Sequence, residues 1–132
     1  MEQKSIKKSH GSVYNLNYHL VWVVKRRKPF LVGNIAEDLK TLIRDRATNM
    51  GVTIESFEVM PDHVHLFVSS PPKLSPHQLV KRFKGAASKK LRNKYPQLLR
   101  IPALWSGSYY VGSVGFMSES VVRNYIENQK GI

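Results

Sequence analysis

The residues best equipped for chemistry in this chain are His63 and His65, one residue apart in the run Asp62-His63-Val64-His65-Leu66-Phe67. The run alternates apolar with polar residues. On a strand, positions i and i+2 project from the same face with Cα atoms about 6–7 Å apart. Two imidazoles so placed can close on one divalent metal, so this run is two-thirds of a metal site. The remaining ligand and a nucleophile have to come from elsewhere, and Tyr125-Ile126-Glu127-Asn128-Gln129 offers both. Four apart on a helix, Tyr125 and Gln129 point together. Gln129 brings an amide oxygen as a third ligand and leaves metal positions open for a phosphate oxygen and water. Tyr125 brings a phenol with an ordinary pKa of about 10. A nearby cation favours its phenolate, and covalent catalysis divides phosphodiester transfer into two reversible steps with no activated water.

Each piece also has a plain structural reading. A His-x-His pair suits two half-buried strand histidines, Tyr125 continues an apolar stripe with Val121, Val122 and Ile126, and a glutamine near the C-terminus is ordinarily solvated. Tyr14, Tyr18, Tyr95, Tyr109 and Tyr110 compete as phenols. The conjunction of these pieces with the charge pattern lifts the chemical reading above the plain one.

The net charge is +12, and none of the nine carboxylates lies between residues 63 and 118. That stretch carries Lys73, Lys81, Arg82, Lys84, Lys89, Lys90, Arg92, Lys94 and Arg100, an uncompensated positive field whose natural partner is a polyanion. Nucleic acid is favoured over an anionic membrane, because no amphipathic terminal anchor is present. The clusters Lys25, Arg26, Arg27, Lys28 and Lys81, Arg82, Lys84, Lys89, Lys90, Arg92 are the candidates for backbone contacts. With 132 residues and no cysteine, the expectation is one compact unit without disulfides, zinc fingers or thiol catalysis. The polar N-terminus and the short apolar run Leu20 to Val24 suggest a soluble, non-secreted, cytoplasmic protein that joins the nucleoid through DNA.

The elements that must position these groups follow from periodicity. Residues 13 to 24 alternate as a long strand, with Asn15, Asn17 and His19 opposite Tyr14, Leu16, Tyr18, Leu20, Trp22 and Val24. The basic turn Lys25 to Pro29 ends it. Leu39, Leu42, Ile43, Ala47 and Met50 recur at helical spacing from Ile35, and Gly51 stops that helix. Strands follow over Val52 to Val59 and His63 to Ser69. Ser75-Pro76-His77-Gln78 has the form of a capping box opening a second, basic helix that Pro96 terminates. Ser108 to Val114 forms a fourth strand, and Ser118 caps a last helix running to about Gln129. This order predicts an α+β, ferredoxin-like split βαβ fold: an antiparallel four-stranded sheet, two helices on one face, and an additional C-terminal helix carrying the nucleophile over about 118–129. His19 shares the open face and is a candidate to orient a ligand or phosphate from behind the metal.

The chain resembles the single-tyrosine HUH transposases, small insertion-sequence enzymes that act on single-stranded DNA. The resemblance rests on Tyr18-His19-Leu20-Val21-Trp22, Met60-Pro61-Asp62-His63-Val64-His65-Leu66, Leu104-Trp105-Ser106-Gly107-Ser108-Tyr109-Tyr110 and Val122-Arg123-Asn124-Tyr125-Ile126-Glu127-Asn128-Gln129, in that order along nearly the whole length. It implies one HUH transposase domain over 1–132, with His63, His65 and Gln129 as ligands of Mg²⁺ or Mn²⁺. Tyr125 is then the nucleophile of a 5′-phosphotyrosine intermediate. It also implies recognition of hairpins at element ends, and a homodimer whose sites combine the histidines of one subunit with the tyrosine helix of the other. A short helix, marginal alone in water, led in by Gly112 and Gly115, accommodates such sharing. Two alternatives stand beside this reading. One is a domesticated relative acting on genomic palindromes. The other is a non-enzymatic RNA-binding ferredoxin-like module, disfavoured because histidines occupy the strand positions where base-stacking aromatics belong.

Overall fold

The structure is a computed structural model and describes residues 7–9, 12–113 and 119–129. Along the chain run β1 (Lys7–Ser9), β2 (Ser12–Tyr14), β3 (Asn17–Val23), α1 (Gly33–Met50), β4 (Thr53–Met60), β5 (His63–Ser69), α2 (Pro76–Lys94), β6 (Tyr110–Ser113) and α3 (Glu119–Glu127). β3 to β6 form one antiparallel sheet in the order β4-β5-β3-β6. β5 is thus inserted between the two strands that α1 joins, which is the split βαβ arrangement of an α+β ferredoxin-like fold.

Local sequence explains both long helices. α1 buries Ile35, Leu39, Ile43, Ala47 and Met50, one residue per turn. It ends at Gly51, whose φ of 71° costs a glycine nothing and lets its N–H reach the Thr48 carbonyl. α2 opens with both bonds of the capping box in place, Ser75 Oγ accepting from the Gln78 N–H and Gln78 Oε1 from the Ser75 N–H. Such a cap is worth about 1 kcal/mol. Leu79, Val80, Phe83, Ala87 and Leu91 of α2 join the α1 stripe in one core against Leu20, Trp22, Val24, Val64, Leu66 and Val68. The helices are also cross-linked at the surface, where Asp38 accepts from Lys94 Nζ at 2.8 Å and Tyr95 OH at 2.5 Å.

The sequence departs from the structure in three places. The expected strand over 13–24 is broken: residues 12–14 leave the sheet and pair with β1 as a separate ribbon. The interruption lies at Asn15-Leu16, where the Asn17 amide donates to Asn15 Oδ1 at 2.6 Å and Leu16 presents its carbonyl to Ser70. Side-chain bonds over two residues compete with the ladder in this way. The fourth strand begins only at Tyr110, while Val114 lies outside the described residues. The last helix spans Glu119–Glu127, so Gln129 sits in a turn beyond its end, with its N–H on the Ile126 carbonyl at 3.1 Å. The expected cap Ser118, Gly115 and Gly131 fall outside the described residues.

Register fixes the second face. His19, Val21 and Val23 of β3 share it with His63, His65 and Phe67 of β5 and Tyr110 of β6. Val21 and Val23 are fully buried there by Ile126 of α3, with Tyr110 and Tyr125 alongside. α3 therefore lies across the face that the two long helices leave open. Among the described residues no helix is long and apolar enough to cross a membrane.

Candidate active site

β5 delivers the histidine half of the site. His65 stands between Val21 and Glu58, and His63 between Val23 and Met60. His63 Nδ1 lies 2.8 Å from Asp62 Oδ1, while Asp62 Oδ2 accepts from Arg27 Nε at 2.9 Å. A carboxylate can only accept here, so Nδ1 carries a proton and Nε2 is the nitrogen turned to any ligand role. Arg27 reaches Asp62 because the turn Lys25–Arg27 places Arg26 and Arg27 in the left-handed region, with φ of 58° and 53°. The Val24 N–H also bonds the Asp62 carbonyl. Burial pushes the Asp62 carboxyl up, but the hydrogen bonds from His63 and Arg27 outweigh it and hold the group below its usual range. Asp62 was not singled out in the sequence; its only signal there is a carboxylate adjoining a histidine.

His65 Nε2 faces His19 Nδ1 at 3.2 Å, and the His19 ring stacks on Phe67 at 4.5 Å. Burial pulls both imidazoles below their ordinary value. The neighbouring His65 adds to this at His19, whereas at His65 the nearby Glu58 works in the opposite direction. One of the two facing nitrogens donates to the other, and the neutral imidazole that burial favours is the form in which histidine binds a metal.

The tyrosine half is seated on the loop before β6. Ser108 Oγ donates to Gln129 Oε1 at 2.9 Å, and Ser106 Oγ reaches the same oxygen at 3.3 Å. Tyr125 OH lies 2.9 Å from Ser108 Oγ, and either hydroxyl can be the donor. The result is a linked set of phenol, serine and amide. Burial raises the phenol above its ordinary value, and the serine contact only partly offsets that. The loop is anchored from α2. Lys84 Nζ donates to the carbonyls of Ser106 and Ser108 at 2.8 and 3.1 Å, and the Trp105 indole donates to the Lys84 carbonyl. Burial pulls the Lys84 ammonium down to about 8. Neither the serines nor this use of Lys84 has a signature in sequence spacing, because their partners are distant along the chain.

The two halves share a face, with no hydrogen bond from Tyr125 or Gln129 to His63 or His65 among the described residues. His65 pairs across to Val21 and Val21 to Tyr110, whose ring is 6.1 Å from that of Tyr125. Two strand spacings, about 10 Å, thus separate His65 from Tyr110 at the backbone. The side-chain hydrogen bonds of Tyr125 and Gln129 run instead to Ser106 and Ser108. Nor do three histidine or carboxylate groups converge anywhere among the described residues. The donors nevertheless fit a divalent ion in part: two imidazoles on one face, one pre-oriented by Asp62, with a third donor to be brought in. Of the basic candidates, Arg26, Lys28, Lys81, Arg82, Lys89 and Lys90 are exposed, and Lys25 and Arg92 are half-buried. Arg27 and Lys84 are already engaged inside the protein.

A split βαβ sheet with a paired-histidine strand and a separate tyrosine helix on its open face defines an α+β protein of the ferredoxin-like kind. The comparisons with known proteins carry the assignment further: residues 12–129 match the family described as "Transposase IS200 like", and the chain belongs to that family. It is 42% identical over 127 residues to the ISDra2 transposase TnpA of Deinococcus radiodurans, covering 94% of this chain and 91% of that relative. A transposase for the insertion sequence element IS200 from Salmonella typhimurium is 28% identical over 119 residues, covering 88% of this chain and 78% of the relative. The crystal structure of a putative transposase from Deinococcus radiodurans superposes with a TM-score of 0.87 at 38% identity, over 96% of this chain and 99% of that one. A REP-associated tyrosine transposase bound to a REP hairpin shares the fold, with a TM-score of 0.57 at 12% identity over 96% of this chain and 68% of that one. The protein is an IS200-like transposase, an enzyme that cuts and transfers DNA strands.

Proposed function

We propose that this transposase, acting as one catalytic unit over residues 1–132, cleaves and rejoins single-stranded DNA at hairpin-marked ends. Tyr125 is the nucleophile, His63, His65 and Gln129 are the ligands of Mg²⁺ or Mn²⁺, and His19 supports His65. The Tyr125 oxygen attacks the phosphorus, the bond to the 3′ oxygen breaks, and the departing strand leaves as a free 3′-hydroxyl carrying the proton. The enzyme retains a 5′-phosphotyrosine. Attack by another 3′-hydroxyl reverses the sequence, seals the strand and returns the proton to the phenol, so no water is consumed. When bound, the metal supplies charge stabilisation and alignment at the phosphoryl oxygens.

The observation that supports this reading is His63, held by Asp62, and His65 on one face of β5, the face on which Ile126 of α3 packs against Val21 and Val23. A hairpin as the DNA partner is supported by the REP-associated relative, which was captured on one. In the homodimer proposed here, the histidines of one copy are served by Tyr125 and Gln129 of the other, once their bonds to Ser106 and Ser108 are released. Incubating the full chain with Mn²⁺ and a hairpin-bearing single strand, taken from palindromes flanking its gene, should yield a covalent adduct on the Tyr125 peptide. Tyr125→Phe should bind the hairpin and form none. An adduct on another residue ends the assignment.

A further inference from the structure

An open pocket of about 290 Å³ lies between the first half of α2 and the loop before β6, lined by His77, Val80, Lys81, Lys84, Gly107 and Tyr109. Its parts are those of a nucleotide subsite. The rings of Tyr109 and His77 stand 5.9 Å apart at 40°, with the Tyr109 hydroxyl 3.2 Å from His77 Nδ1, which fixes an aromatic wall. Lys81 is exposed beside it. Lys84 spends two of its three ammonium protons on the Ser106 and Ser108 carbonyls, leaving one donor for an occupant. A Cβ added at Gly107 meets nothing within 4 Å, so the glycine is not required by packing inside the protein and its missing side chain leaves room in the pocket.

We propose that this pocket receives one unpaired nucleotide of single-stranded DNA, its base against Tyr109 and His77 and its phosphate on Lys81 and the remaining Lys84 donor. The proposal rests on the single-stranded DNA reading above. An aromatic wall beside ammonium groups takes a base face and a phosphodiester together and tolerates any base, because every base has a π-face. The position adds a consequence. Lys84 lines this pocket and also holds the Ser106 and Ser108 carbonyls, and Gly107 lies between the two serines that seat Tyr125, so filling the pocket bears on the loop that holds the nucleophile.

Fluorescence anisotropy of the full chain with an oligothymidine of about twelve nucleotides, and with a duplex of equal length, tests it. Tyr109→Ala and Gly107→Val should each weaken oligothymidine binding about tenfold, the scale of one stacked base, and leave duplex binding unchanged. The double variant should lose no more than either one, and Tyr109→Phe should retain binding. Gly107→Val keeps every described contact, so it decides the matter if Tyr109→Ala melts early. A wild type that prefers the single strand while both variants keep that preference overturns the pocket assignment alone. A wild type with no preference for the single strand overturns the reading beneath it. Tighter binding of oligouridine than of oligothymidine overturns DNA as the occupant.

Discussion

β3 and β5 present two faces of opposite character from alternate residues of the same seven-residue strands. On one face Leu20, Trp22, Val64, Leu66 and Val68 are all fully buried beneath α1 and α2. On the other, His19, His63, His65 and Phe67 remain half-buried, and among the described residues the apolar Val21 and Val23 are covered by Ile126 with Tyr110 and Tyr125 alongside. The first face is committed to stability and tolerates no polar group. The second meets α3 through the cluster of Val21, Val23 and Ile126 and through the hydrogen bonds of Tyr125 and Gln129. A nine-residue helix is marginal alone, so the strength of that docking governs where Tyr125 sits.

Substitutions on the two faces should therefore differ in kind. Leu66→Ala, on the closed face, should cost about 2–5 kcal/mol of global stability in denaturant unfolding; a loss much below that would mean the two faces are not so unequal. Ile126→Ala should cost about 2 kcal/mol, read as lost hydrogen-exchange protection in α3 while the β5 amides stay protected. Simultaneous loss in both would show that α3 is part of one cooperative core. Asp62→Asn should lower Mn²⁺ affinity about tenfold with little change in melting, since the amide no longer fixes the His63 tautomer; unaltered Mn²⁺ titration removes Asp62 from the site.

The smallest effect concerns the phenol. Tyr125 is raised above the ordinary value of 10.0, so its contribution to α3 docking is fully present below that pH and is lost as the pH rises through the higher folded value. Ultraviolet titration should show that Tyr125→Phe removes one tyrosine that ionises above the ordinary value. Ser108→Ala should weaken docking by about 1 kcal/mol and move that step higher still, because the serine contact lowers the phenol.

Sequence exposed those parts of the fold that local rules control. Alternation placed His63, His65 and Phe67 together against Val64, Leu66 and Val68, and the Ser75-Pro76-His77-Gln78 cap and the 3–4 spacing of Ile35 to Met50 located the helices. Contacts between distant segments were not legible. The break at Asn15 depends on side-chain bonds and on the Ser70 N–H, and the β1–β2 ribbon breaks what alternation presents as one strand. The seat of Tyr125 depends on Ser106, Ser108 and Lys84, which no period relates to α3. Lys84 shows the cost most plainly: as one basic residue among many it resembles a phosphate contact, yet its ammonium is turned inward to two carbonyls.

Whether the two halves of the site come together across copies is tested most directly by a mixed dimer. Copies carrying His65→Ala and Tyr125→Phe, each inactive alone, are co-expressed with different tags, purified through both, and given the hairpin substrate with Mn²⁺. Sharing between subunits leaves one complete site in the mixed species, so cleavage and the Tyr125 adduct should return. An inert mixed dimer, beside an active wild-type dimer bearing the same tags, would contradict it.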